Sequence, residues 1–211
     1  MSRDELIREL RLLQLRRQVT PHFLFNSLSV AMRLVMSSPK VAVRFLGHLA
    51  SMYRYLLSYG NEYHVPVQQE VVMLTQYYDL MSLRHVGSII LEISPEVRAL
   101  KDNPLPPLTL QGLLENAIKH NTHTKEKPLR VVLKTVHDDT DGDFLVVQNN
   151  IVPLLAKGES TRMGLAYMDE TLRLLFDKQI RIGNDGKTFT VMIPLISLKS
   201  SKSKYASPVQ I

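Results

Sequence analysis

Mainly apolar residues recur at helical spacing through positions 2–84 of the chain. Three sets carry the pattern: Leu6, Leu10, Leu13 and Arg17; Val41, Phe45, Leu49, Met52 and Leu56; and Val67, Val71, Leu74, Tyr78 and Met81. The stretches 37–40 and 60–66 interrupt it, because proline cannot donate to a helix and Ser, Asn and Gly favour turns. The pattern predicts a helical hairpin with an additional helix.

Beyond residue 84, short β-branched runs bounded by turn residues predict strands. The runs span 88–93, 129–136, 144–149, 178–183 and 189–194, with helical patterns at 107–121 and about 163–176. Strands interleaved with helices on this scale predict one sheet covered by helices on a single face, in an α+β fold. We place a helical domain at 1–84, a sheet domain at 85–197 and a disordered tail at 198–211.

Composition excludes several classes of protein. The chain has 211 residues, a formal net charge of +6 and no cysteine, so disulfides and thiolate zinc sites are excluded. Three lysines of the charge excess lie in the tail and no basic–aromatic motif occurs, so we expect no nucleic-acid partner. No apolar run approaches the roughly 20 residues of a membrane span. We expect a cytoplasmic chain without membrane contact of its own.

The stretch QVTPHFLFNSLS places a histidine near the start of a helix. His22, Asn26, Ser29 and Arg33 share one polar face, and Leu24, Leu28, Ala31 and Val35 share the nearly opposite face. We therefore expect His22 to be exposed. A neutral imidazole can act as a nucleophile and hold a phosphoryl group, and the Asn26 amide can orient a phosphate or a water. A plain surface histidine at a helix start is the alternative.

The stretch LPPLTLQGLLENAIKHN predicts an amphipathic helix with a second polar cluster. Its inward face comprises Leu110, Leu113, Leu114, Ala117 and Ile118. On the other side Asn116, Lys119 and His120 follow helical spacing, with Glu115 adjacent. An Asn oxygen can bind Mg²⁺, and Lys119 and His120 can contact phosphate oxygens. From spacing alone, a solvated helix face stays the alternative.

Together, LQLRRQVTPHFLFNSL and LPPLTLQGLLENAIKHN resemble sensor histidine kinases of the LytS/YehU type. The resemblance implies a dimerising hairpin that carries the phosphoacceptor His22. It implies a following Bergerat-type ATP-binding domain, an α/β sandwich with a mixed sheet like that of gyrase, MutL and the ATPase chaperones. Asn116 stands where the family binds magnesium, with Glu115, Lys119, His120 and Asn121 beside the phosphates. Glu115 is the candidate base, and transfer without a base is the alternative.

The activity implied is autophosphorylation of His22 from Mg²⁺–ATP, followed by transfer to an aspartate of a response regulator. The resemblance also implies a homodimer and a regulator that is often of the LytTR type. It leaves open an inner-membrane anchor supplied by an upstream segment. A non-phosphorylating signalling or heterodimerisation module with weak nucleotide binding is the alternative.

The chain departs from the family pattern at its glycine motifs. Asn149, followed by Asn150, stands where the family has an aspartate that contacts adenine. An amide oxygen accepts that hydrogen bond without charge assistance, so we expect a weaker purine contact. In the second motif Gly164 and Leu165 remain, but Arg162 replaces a glycine whose flexibility lets the backbone approach phosphate. The Arg162 guanidinium can itself contact a phosphate.

Overall fold

The first two helices form a hairpin. The computed structural model describes residues 21–59, 62–100, 102–152 and 163–196. Helix α1 spans Pro21–Ser37 and helix α2 spans Pro39–Tyr59, with only Ser38 between them. Phe45, Leu49 and Met52 of α2 are buried, as the spacing predicts. The helical segment predicted around residues 6–17 lies outside the described residues.

Helix α1 carries apolar side chains on two sides, and only one side packs. Ala31 is buried, with Val30 and Leu34 against the same core. Leu28 and Val35 are 41% and 51% exposed, so the predicted apolar face is only partly buried within this chain. The helix turns the ridge that contains Ala31 towards α2, which leaves the neighbouring ridge uncovered.

Helix α3, Val67–Arg84, joins the hairpin to the rest of the fold by packing against both α2 and α5, Thr109–His120. Four members of the predicted stripe are buried, and Tyr78 is partly buried against the same core, which confirms the stripe; the four are Val67, Val71, Leu74 and Met81. A two-stranded antiparallel sheet of β1, Val65–Pro66, and β3, Pro104–Leu105, precedes α3 and α5. The sequence analysis missed this small sheet and the short helix α4, Pro95–Ala99.

Five strands form the main sheet, in the order β2-β4-β5-β7-β6. Their bounds are β2, Ile89–Ile93; β4, Leu129–Asp138; β5, Gly142–Asn150; β6, Arg181–Asn184; and β7, Thr188–Pro194. β2 and β4 are parallel, and the other neighbouring pairs are antiparallel. The strands lie where the β-branched runs predict them, and the sheet is mixed as expected.

Helices cover one face of this sheet. Leu133, Leu145 and Ile193 point to that face and are fully buried in the same cluster as Leu114 of α5 and Leu172 of α6, Met163–Phe176. The cluster continues into the hairpin without a break. The α+β fold with an N-terminal helical hairpin and a mixed sheet covered on one face is therefore confirmed. None of the described helices combines the length and apolar character of a membrane span.

Candidate functional site

A cavity of about 670 Å³ lies between α5, α6 and the helix-covered face of the sheet. Its apolar wall includes Leu113 of α5, Val147 of β5 and Val191 of β7. Polar side chains enter it from α5, β5, α6 and β6. A cleft of this size with an apolar wall and a few convergent polar groups is the usual form of a small-ligand site, for which roughly 300–1,000 Å³ is typical.

The cavity brings together five of the residues that the sequence predicts for nucleotide binding. They are Asn116, His120, Asn121, Asn149 and Leu165. Three others, Glu115, Lys119 and Asn150, do not line it. Gly164 is the second residue of α6, and Arg162 lies outside the described residues.

The two flanks of α5 separate Asn116 from Glu115. Asn116 faces the cavity, and its side-chain amide makes no hydrogen bond within the described part of the chain. Glu115 is exposed and accepts a hydrogen bond from Gln111 Nε2 at 2.8 Å. Burial raises the pKa of Tyr77 on α3 and the Glu115 carboxylate raises it further, which locates Glu115 on the α3 side of the helix. A ligand oxygen in the cavity can therefore meet Asn116 but not Glu115.

Asn121 holds the wall of the cavity in place. Its Nδ2 donates to the carbonyl of Ala117 at 2.8 Å, and its Oδ1 accepts from the N–H of Val152 at 2.7 Å. Because both amide atoms are bound to backbone, the side chain ties the end of α5 to the segment that follows β5. Asn121 thus shapes this end of the cavity.

A pair of histidines lies directly behind Asn121. His123 Nδ1 is 3.1 Å from the carbonyl of Asn121, and His123 Nε2 is 3.3 Å from Nδ1 of His85. If His123 Nδ1 donates to the carbonyl, His85 donates to His123. Partial burial lowers the pKa of His85, and the neighbouring His123 and Arg84 lower it further. The pair connects the end of α3 to the wall of the cavity.

Asn149 and Asn150 point to opposite faces of the sheet. Asn149 is buried and lines the cavity; its Nδ2 donates to the carbonyl of Asn150 at 2.8 Å, and within the described ranges its Oδ1 accepts no hydrogen bond. Asn150 donates to the carbonyl of Pro128 at 3.1 Å and accepts from the N–H of Arg130 at 2.7 Å. Asn149 therefore offers an acceptor to a ligand, whereas Asn150 fastens β5 to the start of β4.

The sequence analysis missed two polar residues of the cavity, Asp169 of α6 and Asn184 of β6. Asp169 Oδ1 accepts from the N–H of Ile180 at 2.9 Å, which ties α6 to the segment before β6. Asp169 stands four residues after Leu165, so the two share a helix face. That spacing could have indicated that Asp169 lines the cavity, whereas nothing in the sequence of β6 indicates it for Asn184.

The predicted phosphoacceptor lies on α1. His22 is the second residue of that helix, and its side chain is outside the described set. Asn26, one turn later, is half-buried. The expected exposure of His22 stays a prediction.

Comparison with known proteins gives the family. A sequence model described as histidine kinase matches residues 10–89. The sensor protein kinase HptS of Staphylococcus aureus is 32% identical over 145 residues, which is 69% of this chain and 27% of the relative. The chain belongs to the histidine kinase family. It spans roughly a quarter of the length of the curated relatives it matches.

Solved structures similar to this histidine kinase core include two bacterial proteins. The histidine kinase domain of the blue-light activated histidine kinase from Erythrobacter litoralis aligns with a TM-score of 0.43 and 16% identity, covering 91% of this chain and 96% of that chain. A bacterial phosphotransferase aligns with a TM-score of 0.44 and 13% identity, covering 90% and 94% of the two chains.

Histidine kinases as a family use ATP, generally with magnesium. The described residues contain no group of three or more His, Cys, Asp or Glu side chains that could hold a metal ion. A magnesium ion at this site would therefore depend on few protein ligands, of which the Asn116 oxygen is the candidate. That donor set fits Mg²⁺, which usually keeps several waters and binds through few protein groups plus substrate phosphates.

Proposed function

We propose that this chain is the catalytic core of a sensor histidine kinase that phosphorylates its own His22 from Mg²⁺–ATP. The observation that carries the proposal is the cavity along α5. It offers the Asn116 amide at one position and the Asn149 oxygen at another, and no hydrogen bond within the described part of the chain occupies either. The cavity is thus equipped to bind a purine and a phosphate chain together.

In this proposal Asn149 Oδ1 accepts a hydrogen bond from the adenine amine. The apolar wall formed by Leu113, Val147 and Val191 packs against the ring, and His120 lies where it can contact a phosphate oxygen. Asn116 would supply an oxygen to a bound magnesium ion, which would neutralise charge on the phosphates. These groups position the γ-phosphoryl group, and positioning is most of what phosphoryl transfer requires of a protein.

The chemical step forms one bond and breaks one bond. A ring nitrogen of neutral His22 attacks the γ-phosphorus, the bond from phosphorus to the β–γ bridging oxygen breaks, and ADP leaves. The proton on the other ring nitrogen is then released to a base. We propose Glu115 for that role, because it lies on the α3 flank of α5 and is open to a group that approaches from outside the cavity.

The phosphoryl group then passes to an aspartate of a response regulator, and the LytTR type is the partner we propose. The kinase would act as a homodimer through the hairpin. Phe25, Met32 and Met36 of α1 are 65%, 65% and 88% exposed, which is an unusual set of apolar side chains to leave in water. A second hairpin of the same kind would cover them. The similarity to a sensor protein kinase supports a cytoplasmic core within a longer protein.

Incubation with γ-labelled ATP and Mg²⁺ tests the proposal. We expect an acid-labile, base-stable label on the wild-type chain that is absent from the His22→Gln variant. The matched control is His137→Gln, which changes an exposed histidine of β4 in the same way and should keep the label. Nucleotide binding without a label would instead favour the non-phosphorylating module, and ATP hydrolysis unaffected by His22→Gln would favour a stand-alone ATPase.

Light scattering tests the dimer. We expect a dimer at micromolar concentration and a shift towards monomer in Met32→Lys, because a charge in a buried apolar interface is unfavourable. Val72→Lys is the matched control, since Val72 is also exposed but lies on α3, outside the hairpin. A wild-type monomer, or equal dissociation in both variants, would refute the hairpin interface.

A further inference from the structure

Glu70 of α3 is a fully buried carboxylate with three hydrogen-bond donors around it. Oε1 accepts from the hydroxyl of Tyr55 at 2.5 Å and from the N–H of Leu108 at 2.7 Å. Oε2 accepts from the N–H of Leu110 at 2.9 Å. Its side chain is 0% exposed and lines no part of the nucleotide cavity. The proposed phosphoryl transfer makes no direct use of it.

These contacts join three helices at one carboxylate. Tyr55 belongs to hairpin helix α2, Glu70 to α3, and the two N–H groups to the start of α5. The first N–H groups of a helix have no partner within it, and a negative charge there is favoured by the helix dipole. Leu108, which precedes α5, has a φ of 63° and no side-chain cap, so Glu70 supplies the cap from a neighbouring helix.

The geometry favours the ionised carboxylate, whereas burial opposes it. All three neighbouring groups donate in this arrangement, and a carboxyl proton would require the Tyr55 hydroxyl to turn and accept or one N–H to be displaced. Burial nevertheless raises the pKa of Glu70 to about 7, against the lowering effect of the Tyr55, Leu110, Leu108 and Thr109 hydrogen bonds. Of the described residues that face this group, the titratable ones are Tyr55 and, behind it, Tyr59. Burial thus brings the titration of this carboxyl group towards neutral pH.

We propose that Glu70 is a positioning residue for the phosphoryl transfer, which couples the orientation of the hairpin to helix α5 through its hydrogen bond with Tyr55. Helix α5 carries Asn116 two turns after the capped end, and the hairpin carries His22. A shift of the hairpin relative to α3 therefore acts on the start of the helix that holds the nucleotide. This role rests on the proposed kinase function. The contacts from Tyr55 through Glu70 to the start of α5, called the joint below, would align the hairpin that carries His22 with the helix that holds the nucleotide.

The Tyr55→Phe variant tests the joint, with Tyr59→Phe as the matched control on the same helix. Because the Tyr55 hydroxyl contacts no part of the cavity, we expect the KM for ATP to stay within about twofold while the rate of phosphohistidine formation at saturating ATP falls about tenfold or more. Tyr59→Phe should leave both unchanged. An unchanged rate in Tyr55→Phe, or equal losses in both variants, would overturn the proposal.

The pH dependence of the rate of phosphohistidine formation shows whether Glu70 positions the reacting groups or only stabilises the fold. If the ionised carboxylate forms the joint, the wild-type rate rises with pH through about 7, where Glu70 loses its proton. The ratio of the wild-type rate to the Glu70→Gln rate should rise through the same range, because the Gln amide does not titrate and the requirement for a neutral His22 is common to both chains. A ratio that does not change with pH would overturn the assignment.

Amide hydrogen exchange, measured without nucleotide, tests the joint even if the chain forms no phosphohistidine. In Tyr55→Phe the amides of Leu108 and Leu110 should exchange at least about fivefold faster than in the wild type, because the carboxylate that caps them loses its anchor. The amide of Val147, in the central strand, should be unaffected. Absence of a label in the wild type would refute the kinase function, whereas unchanged exchange at Leu108 and Leu110 would refute the joint.

Discussion

Replacing Glu70 by Gln should change how the stability of the fold depends on pH. Burial raises the pKa of Glu70 from 4.5 to about 7 in the folded chain. The folded chain therefore binds more protons than the unfolded chain between these values, and the free energy of unfolding falls as pH rises from 4.5 to about 7. At roughly 1.4 kcal/mol per pH unit, the loss amounts to about 3 kcal/mol.

Urea denaturation at a series of pH values measures this loss. The chain has no tryptophan, so far-ultraviolet circular dichroism is the suitable probe. Protein concentration must be held constant, because the proposed dimerisation would also contribute to stability. The wild type should lose about 3 kcal/mol relative to Glu70→Gln between pH 4.5 and pH 8. His85, whose lowered pKa acts in the opposite direction, is present in both chains and cancels in the difference.

Glu62→Gln is the control, since Glu62 is an exposed carboxylate at the end of the hairpin. Its pH profile should run parallel to that of the wild type. Parallel profiles for the wild type and Glu70→Gln would refute the argument, because they would mean that burial does not raise the pKa of this carboxyl group.

Three further changes test the packing and the wall of the cavity. Leu114→Ala should lower the free energy of unfolding by about 2–5 kcal/mol in urea denaturation, because Leu114 is 0% exposed in the core; a loss below about 1 kcal/mol would contradict that packing. Asn121→Ala should speed amide exchange at Val152 by about tenfold or more, and an unchanged rate would show that the side chain does not hold that segment. His123→Ala should raise the pKa of His85 in an NMR titration, because a repelling neighbour is removed; a lower pKa would reverse that assignment.

Periodicity predicted those elements whose pattern is long and one-sided. Phe45, Leu49 and Met52 mark the buried face of α2 without ambiguity, and Leu110 and Leu114 do the same for α5. The strands β1 and β3 have two residues each, which is too short to show alternation, so pairing with a distant partner determines them. On α1 both ridges are apolar, and the sequence cannot indicate which of the two a neighbouring helix covers.

Motif spacing predicted the α5 side of the cavity because that side is one helix. Asn116 and His120 are four residues apart and reach the cavity together. Asn184 reaches it from another strand, so only the assembled sheet shows its role. Glu70 was missed for a related reason. A glutamate on a helix is ordinarily solvated, and only the packing of α2 and α5 around it makes it a buried cap.

If Asn149 stands where the family has an aspartate, as the resemblance implies, its amide also contributes to the stability of the fold without ligand. Asn149 Nδ2 donates to the carbonyl of Asn150 at 2.8 Å. In Asn149→Asp an acceptor would face that carbonyl, which should cost about 1–3 kcal/mol of stability. A bound purine amine would gain charge assistance, stronger by about 1 kcal/mol, so the affinity for ADP should rise about fivefold while the melting temperature falls.

Asn150→Asp separates these two effects. It removes a comparable hydrogen bond, to the carbonyl of Pro128, but outside the cavity. It should therefore lower the melting temperature and leave the affinity for ADP unchanged in calorimetric titration. If Asn149→Asp weakened ADP binding, or if both variants changed it equally, the Asn149 oxygen would not be the purine contact. The adenine would then have to find its acceptor elsewhere in the cavity, and Asp169 is the remaining carboxylate among the described residues that line it.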